Sequence, residues 1–161
     1  MATPEFILSL REKIGHEQLW LPGVSVVVLD DEGRVLLGRR ADNGRWAVVS
    51  GIPEPGEQPG AAVVRECIEE TGIVPELLGV CGVEAGTPLV FPNGDRCVFM
   101  DICFAARTGD PHLAHPADEE STQVGWFDPG ALPEPVVAST PPRIRSALAW
   151  LADPAGGASF R

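Results

Sequence analysis

The chain has 161 residues, a formal net charge of −11, 44% hydrophobic and 22% charged residues. That length fits one ordinary domain, and the acid excess excludes a duplex-binding surface, which needs basic side chains to displace phosphate counterions. The 18 glycines and 16 prolines favour turns and long loops over a helical bundle.

Helical spacing of Phe6, Leu10 and Ile14 predicts a short leading helix over 5–14, with Gly15 as its stop. The apolar run Val24–Leu29 reads as a buried strand. The turn Asp30-Asp31-Glu32-Gly33 and the run Arg34–Arg40 complete a hairpin signal. Trp46–Val49 reads as another short strand, followed by an irregular Gly- and Pro-rich stretch over 50–58. A helix follows from Pro59, which suits a first turn, to Thr71, with Gly72 as a left-handed cap. Strands are expected over 76–83, 98–106 and 123–127, and a closing amphipathic helix over 142–151. Loops over 86–96 and 108–120 separate them. Strands and helices mix without regular alternation, which points to a mixed sheet with helices on its faces rather than a doubly wound one. Residues 1–152 read as a single domain, with 1–20 a leading helical segment and 153–161 a flexible tail.

No stretch is long and apolar enough to cross a bilayer, and the start Met-Ala-Thr-Pro-Glu lacks a secretory signal pattern. Cys67, Cys81, Cys97 and Cys103 form no C-x-x-C pair and read as small buried thiols. A cytoplasmic protein without membrane or nucleic-acid polymer partners is expected.

The chemistry is concentrated on the helix after Gly51. Glu66, Glu69 and Glu70 stand at i, i+3 and i+4, so they share one helical face. Like charges at that spacing repel, and a hard divalent cation with oxygen ligands would cancel the repulsion. Ala61, Val64 and Ile68, flanked by Cys67 and Thr71, read as the apolar stripe that docks the helix. Arg65 is placed to pair with Glu57 and clamp the preceding loop.

Gly51, Glu57, Arg65-Glu66-Cys67, Glu69-Glu70 and Gly72-Ile73 together resemble the full motif of the Nudix (MutT-related) hydrolases, with every fixed position matched. Cys67 stands where a bulkier aliphatic residue is usual, and Val49-Ser50 where many members have Pro-Gly. The hairpin over 24–40, Trp46, and Trp126-Phe127 followed by Leu132-Pro133 extend the likeness over most of 20–150. The resemblance implies an α/β/α sandwich around a mixed β-sheet, with the motif forming a loop–helix–loop. It implies Mg²⁺-dependent hydrolysis of a diphosphate bond in a nucleoside diphosphate linked to another group, X, with Mn²⁺ able to substitute. Glu66, Glu69 and Glu70 would be metal ligands with the Gly51 carbonyl, and Glu57 and Arg65 would support them. In that family the general base can be a motif glutamate or a carboxylate from a distant loop, so the resemblance implies one or the other, and Glu120 of Asp118-Glu119-Glu120 is the first loop candidate.

Candidate contacts to a small nucleotide substrate are Arg40, Trp46, Asn93 and Asp95, with Arg96 and Trp20 beside them. Pro88 lies fifteen residues after Ile73, where ADP-ribose-cleaving members of the family often carry a proline, and the chain lacks the tyrosine that the dinucleoside-polyphosphate subgroup uses in this region, so the resemblance implies an ADP-ribose-like nucleotide sugar. The alternative is a MutT-like nucleoside triphosphate pyrophosphohydrolase, and a non-hydrolytic nucleotide-binding module is the third reading. The leading segment and Trp20-Leu21 are a candidate homodimer contact, since many members are homodimers.

Overall fold

A valine-rich strand organises the molecule. In β1 (Leu19–Leu29), Val24, Val26 and Val28 enter one core while Val27 and Leu29 enter another. Burial on both faces marks a central strand. The computed structural model describes residues 3–91 and 93–160.

β1 runs parallel to β7 (Arg96–Arg107) along its whole length, from Leu19 opposite Cys97 to Leu29 opposite Arg107. β2 (Val35–Arg40) returns antiparallel to β1, and β3 (Trp46–Ala47) pairs with β2. β4 (Val49–Gly51) changes partner and pairs with β1, setting Gly51 opposite Val24. β5 (Glu76–Ala85) lies antiparallel to β7, β6 (Leu89–Val90) flanks the start of β7, and β8 (Ser121–Phe127) lies on β2. Among the described residues these strands and β9 (Ser159–Phe160) make one mixed sheet of nine, with the main path β3-β2-β1-β7-β5-β9.

Among the described residues three helices cover the sheet. α2 (Pro59–Thr71) lays Ala62, Val63 and Cys67 on Val24, Val26, Leu36 and Phe104. α3 (Thr140–Ala152) lays Ile144 and Ala147 on Val27, Leu37 and Ala105 of the opposite face. α1 (Glu5–Ile14) docks Ile7 against Leu21, Ile52 and Cys97. The expected α/β/α sandwich is therefore what the chain forms. All four cysteines are free and buried. No helix among the described residues is long and apolar enough to cross a membrane.

Three details depart from the sequence reading. β1 starts at Leu19 rather than Val24, because β7 supplies a partner that far back. The single strand expected over 46–49 is two, since the chain steps from β2 to β1 between them. The segment after Asp153, read as a flexible tail, carries a 3₁₀ turn and then β9, which pairs in parallel with β5.

A polar bolt joins the sheet to α3. The Ser25 hydroxyl donates to Asp101 at 2.7 Å and the Arg143 Nε donates to the same carboxylate oxygen at 3.0 Å. Asp101 is buried, so removing the cation strands its charge. Arg143→Met is expected to lower stability by about 2–3 kcal/mol, less than a fully enclosed pair because Arg143 is partly exposed. Urea unfolding should show a lower midpoint at unchanged slope; an unmoved midpoint would mean the bolt carries no stability.

Candidate metal and catalytic site

The docking of α2 sets the site. Pro59 opens the helix at its first turn, and Gly72 closes it with φ 70°, its N–H returning to the Ile68 carbonyl. The buried stripe is Ala62, Val63, Glu66, Cys67 and Thr71, while Ala61 and Ile68 are exposed. The expected stripe of Ala61, Val64 and Ile68 is thus displaced around the helix, and the glutamates do not share one outward face. Glu66 is only 7% exposed and lies within the buried stripe, Glu70 is half-buried beside it, and Glu69 stands on the open flank. The small side chains of Ala62 and Cys67 allow the helix to approach the sheet this closely.

Gly51 explains the position of Glu66. A Cβ on Gly51 would lie 2.2 Å from Glu66 Cδ and 2.3 Å from Oε1, so the carboxylate occupies the space a side chain would need. The loop glycine and the helix glutamate, distant in sequence, therefore share one small volume beside β1.

Arg65 is the hub of the carboxylates. Its Nε donates to Glu57 Oε1 and its Nη2 to Glu57 Oε2, both at 3.0 Å, a bidentate fork. Its Nη1 donates to Glu66 Oε1 at 3.1 Å and Glu69 Oε2 at 3.0 Å. Glu57 also accepts from the Glu54 N–H at 2.9 Å, which closes the loop before the helix. The Arg65 hydrogen bond holds the Glu57 carboxyl below its ordinary range. Burial pushes Glu66 the other way, against the pull of Arg65. Glu70 is pushed up to about 8 by burial, with the charges of Glu66 and Asp118 adding to the shift and Arg40 opposing it.

The loop after β7 is stitched to the end of α2. The His115 N–H donates to the Thr71 carbonyl at 3.0 Å and the Ala117 N–H to the Glu70 carbonyl at 3.2 Å, satisfying two helix-end acceptors. Gly72 is required here as well, since a Cβ would lie 2.3 Å from the His115 ring. The stitching carries Asp118 toward Glu70, and the Ala41 N–H then fixes the Glu120 carbonyl at 2.8 Å. Glu120 lines a cavity of ≈ 210 Å³ together with Glu54, Arg65, Glu66 and Glu69, with Thr3, Pro4 and Ile52 closing its side. The distant-loop carboxylate Glu120 thus faces one space with Glu66 and Glu69, while Glu57 and Glu70 are not among its lining residues. Thr3, Pro4, Ile52 and Glu54 carry no motif signal, and only the fold reveals them.

The donor chemistry fits a hard divalent cation. Every candidate ligand is an oxygen, and burial with mutual repulsion raises two of the carboxyls. Among the described residues no three His, Cys, Asp or Glu side chains form a closed metal-holding group.

Several sequence candidates lie elsewhere. Trp46 packs edge-on against Phe127, ring centroids 4.8 Å apart, in the core beneath α3 on the far face of the sheet. Asn93 and Asp95 close their own turn, Asn93 Nδ2 donating to Asp95 Oδ2 at 3.0 Å. Asp95 is buried and paired with Arg11 Nε at 3.0 Å, with His16 Nδ1 at 3.2 Å, so these residues clasp α1 to the sheet rather than face a ligand. Arg40 is forked onto Asp42 at 2.9 and 2.7 Å, although its charge still acts on Glu70.

Gly51→Ala should drive the new methyl into the Glu66 carboxylate. The expected loss of stability is about 1–3 kcal/mol, as for other overpacked sites. A urea midpoint equal to that of the parent protein would show that Glu66 moves aside freely.

Known proteins share both sequence and fold with this chain. A family model described as the NUDIX domain matches residues 19–151. A MutT-like protein of Streptomyces ambofaciens is 33% identical over 125 residues, 78% of this chain and 75% of that protein. An RNA pyrophosphohydrolase of Roseobacter denitrificans is 44% identical over 80 residues, 48% of this chain and 45% of that protein. In fold, the chain is similar to the NUDIX domain of Shewanella oneidensis NrtR complexed with ADP ribose, at a TM-score of 0.67 and 21% identity over 94% of this chain and 99% of that one. The chain therefore belongs to the NUDIX domain family and is a Nudix hydrolase, a pyrophosphohydrolase of nucleoside diphosphate derivatives.

Proposed function

We propose that this hydrolase cleaves the diphosphate bond of an ADP-ribose-like nucleotide sugar with Mg²⁺ bound at Glu66, Glu69, Glu70 and the Gly51 carbonyl. The observation that carries the reading is the shared cavity of Glu66, Glu69, Arg65 and Glu120. A divalent cation held there would supply charge neutralisation of the diphosphate and a lowered pKa for the attacking water. Glu66, Glu69, Glu70 and the Gly51 carbonyl would hold the cation, and Glu69, the exposed member, would exchange Arg65 for it. Arg65 and Glu57 hold the loop and helix in register while it does so. Glu120 takes the proton from the attacking water, whose oxygen adds to one phosphorus as the bridging P–O bond breaks. A nucleoside monophosphate and phosphorylated X leave. Pro88 supports the nucleotide-sugar preference by likeness to ADP-ribose-cleaving members of the family, and the absence of tyrosine disfavours a dinucleoside polyphosphate.

A second reading, release of pyrophosphate from a nucleoside triphosphate, is supported by the likeness to the MutT-like protein. The relative called an RNA pyrophosphohydrolase adds 5′-triphosphorylated RNA to the compounds worth testing, against the opposing net charge of −11.

Chromatography of products from nucleotide sugars, nucleoside triphosphates and triphosphorylated RNA, with Mg²⁺ and Mn²⁺, separates these readings. ADP-ribose is expected to give AMP and ribose phosphate faster than any triphosphate gives pyrophosphate. Preferential pyrophosphate release would overturn the nucleotide-sugar assignment. Glu69→Gln should slow the reaction on the order of 100- to 1,000-fold, by analogy with the loss of an electrostatic stabiliser. Glu120→Gln should lower kcat by roughly 100-fold or more with metal affinity kept, the signature of a base rather than a ligand. Equal loss of metal binding in that variant would move Glu120 into the ligand set.

A further inference from the structure

A second cavity, of ≈ 440 Å³, opens on the face of the sheet opposite the glutamates, between α3 and the chain that returns into β9. One side of the helix lines it. Arg145, Ser146, Ala149, Trp150 and Asp153 follow at i, i+1, i+4, i+5 and i+8, which is a continuous stripe. Ala158 and Ser159 face them, and Cys81 of β5 lines the cavity from the sheet. Trp150 is a fixed wall. A Cβ on Gly79 would lie 2.4 Å from its ring, so the indole fills the room that β5 leaves there.

The polar groups of this lining are not satisfied by the fold. Ser146 is only 7% exposed, and its hydroxyl has no hydrogen-bond partner. A buried hydroxyl left unbonded opposes folding, and an acceptor entering the cavity would remove that cost. Among the described residues Arg145 and Asp153 form no ion pair, and the Trp150 indole N–H donates to nothing.

Charge selects the class of ligand. Arg145 and Asp153 stand at opposite ends of the stripe, about 12 Å apart along the helix axis. The two side chains and a small molecule between them divide that length. Asp153 follows the last turn of α3, which carries no basic residue, and the helix dipole there also favours a cation. Arg145 and Ser146 offer donors at the other end. Ala149 lies between the two ends, and with Ala158 and the indole it leaves apolar walls. A polyanionic nucleotide is disfavoured by Asp153 and by the net charge of −11.

We propose that this cavity binds a free amino acid with an apolar side chain, at a site separate from the hydrolytic centre. The ligand carboxylate accepts from the Arg145 guanidinium and the Ser146 hydroxyl. Its ammonium donates to Asp153, and its side chain packs against Ala149, Ala158 and Trp150.

Isothermal titration calorimetry of the full chain tests this with L-leucine and L-phenylalanine as probes. Two further compounds, 4-methylpentanoate and 3-methylbutylamine, keep the leucine side chain but lack the ammonium or the carboxylate. At least one amino acid should bind saturably at one site, and the leucine analogues should bind at least about tenfold more weakly than leucine, as loss of a charged hydrogen-bonding group does. Arg145→Gln and Ser146→Ala should each weaken amino-acid binding by about tenfold for the same reason. Ala149→Phe, which fills the cavity, should abolish it. Arg145 and Ala149 are exposed, so their variants should keep the urea midpoint of the parent protein. Absence of saturable binding by both amino acids would overturn the proposal. Binding of 4-methylpentanoate as tight as that of leucine would overturn the amino-acid class. Equal binding by the parent protein and Ala149→Phe would overturn the site.

Discussion

Arg65 holds three carboxylates at once, and the arrangement of the site depends on that contact. Its fork on Glu57 ties the loop to the helix. Its remaining nitrogen reaches Glu66 and Glu69. A cluster of acids packed between helix and sheet would otherwise repel itself apart, since burial already disfavours the charged forms of Glu66 and Glu70. The single guanidinium keeps the acids together, and it leaves Glu70 outside its reach among Glu66 and Asp118. The site is therefore organised but short of positive charge, which is the condition a divalent cation relieves.

Around that hub the fold supplies position rather than chemistry. Close approach of α2 needs small side chains at Ala62 and Cys67, and the absence of one at Gly51. Cys67, a departure from the usual aliphatic residue, is fully buried against the sheet and keeps the helix near. The carbonyls at the end of the same helix anchor the loop that bears Asp118 and Glu120. One helix thus presents its own acids and fixes those of a segment far along the chain.

Much of this was legible in the residues. The bounds of α1 and α2 follow from their spacing and, for α2, from Pro59 and Gly72, which are local signals. The mixed sheet follows from irregular strand order, and the pairing of Arg65 with Glu57 follows from their separation. The rotation of α2 was not legible. Hydrophobicity alone turns Ile68 inward, whereas docking on Gly51 turns Glu66 inward and leaves Ile68 in water. Asp95 offered a turn signal but no sign that Arg11, far earlier in the chain, would bury it. Trp46 and Trp20 look alike in sequence, and only strand register separates the core residue from the exposed one. Local chemistry writes element ends, while helix rotation and long-range clasps come from tertiary contact.

Electron paramagnetic resonance of Mn²⁺ titrated into the protein tests the central claim most directly, because it reads the metal without turnover. The parent protein should remove the free Mn²⁺ signal in saturable fashion, and Glu66→Gln should weaken that binding by at least about tenfold, the order reported for disturbed metal ligands and their supports. Equal Mn²⁺ binding by parent and Glu66→Gln would contradict the assignment of the α2 carboxylates as the metal platform.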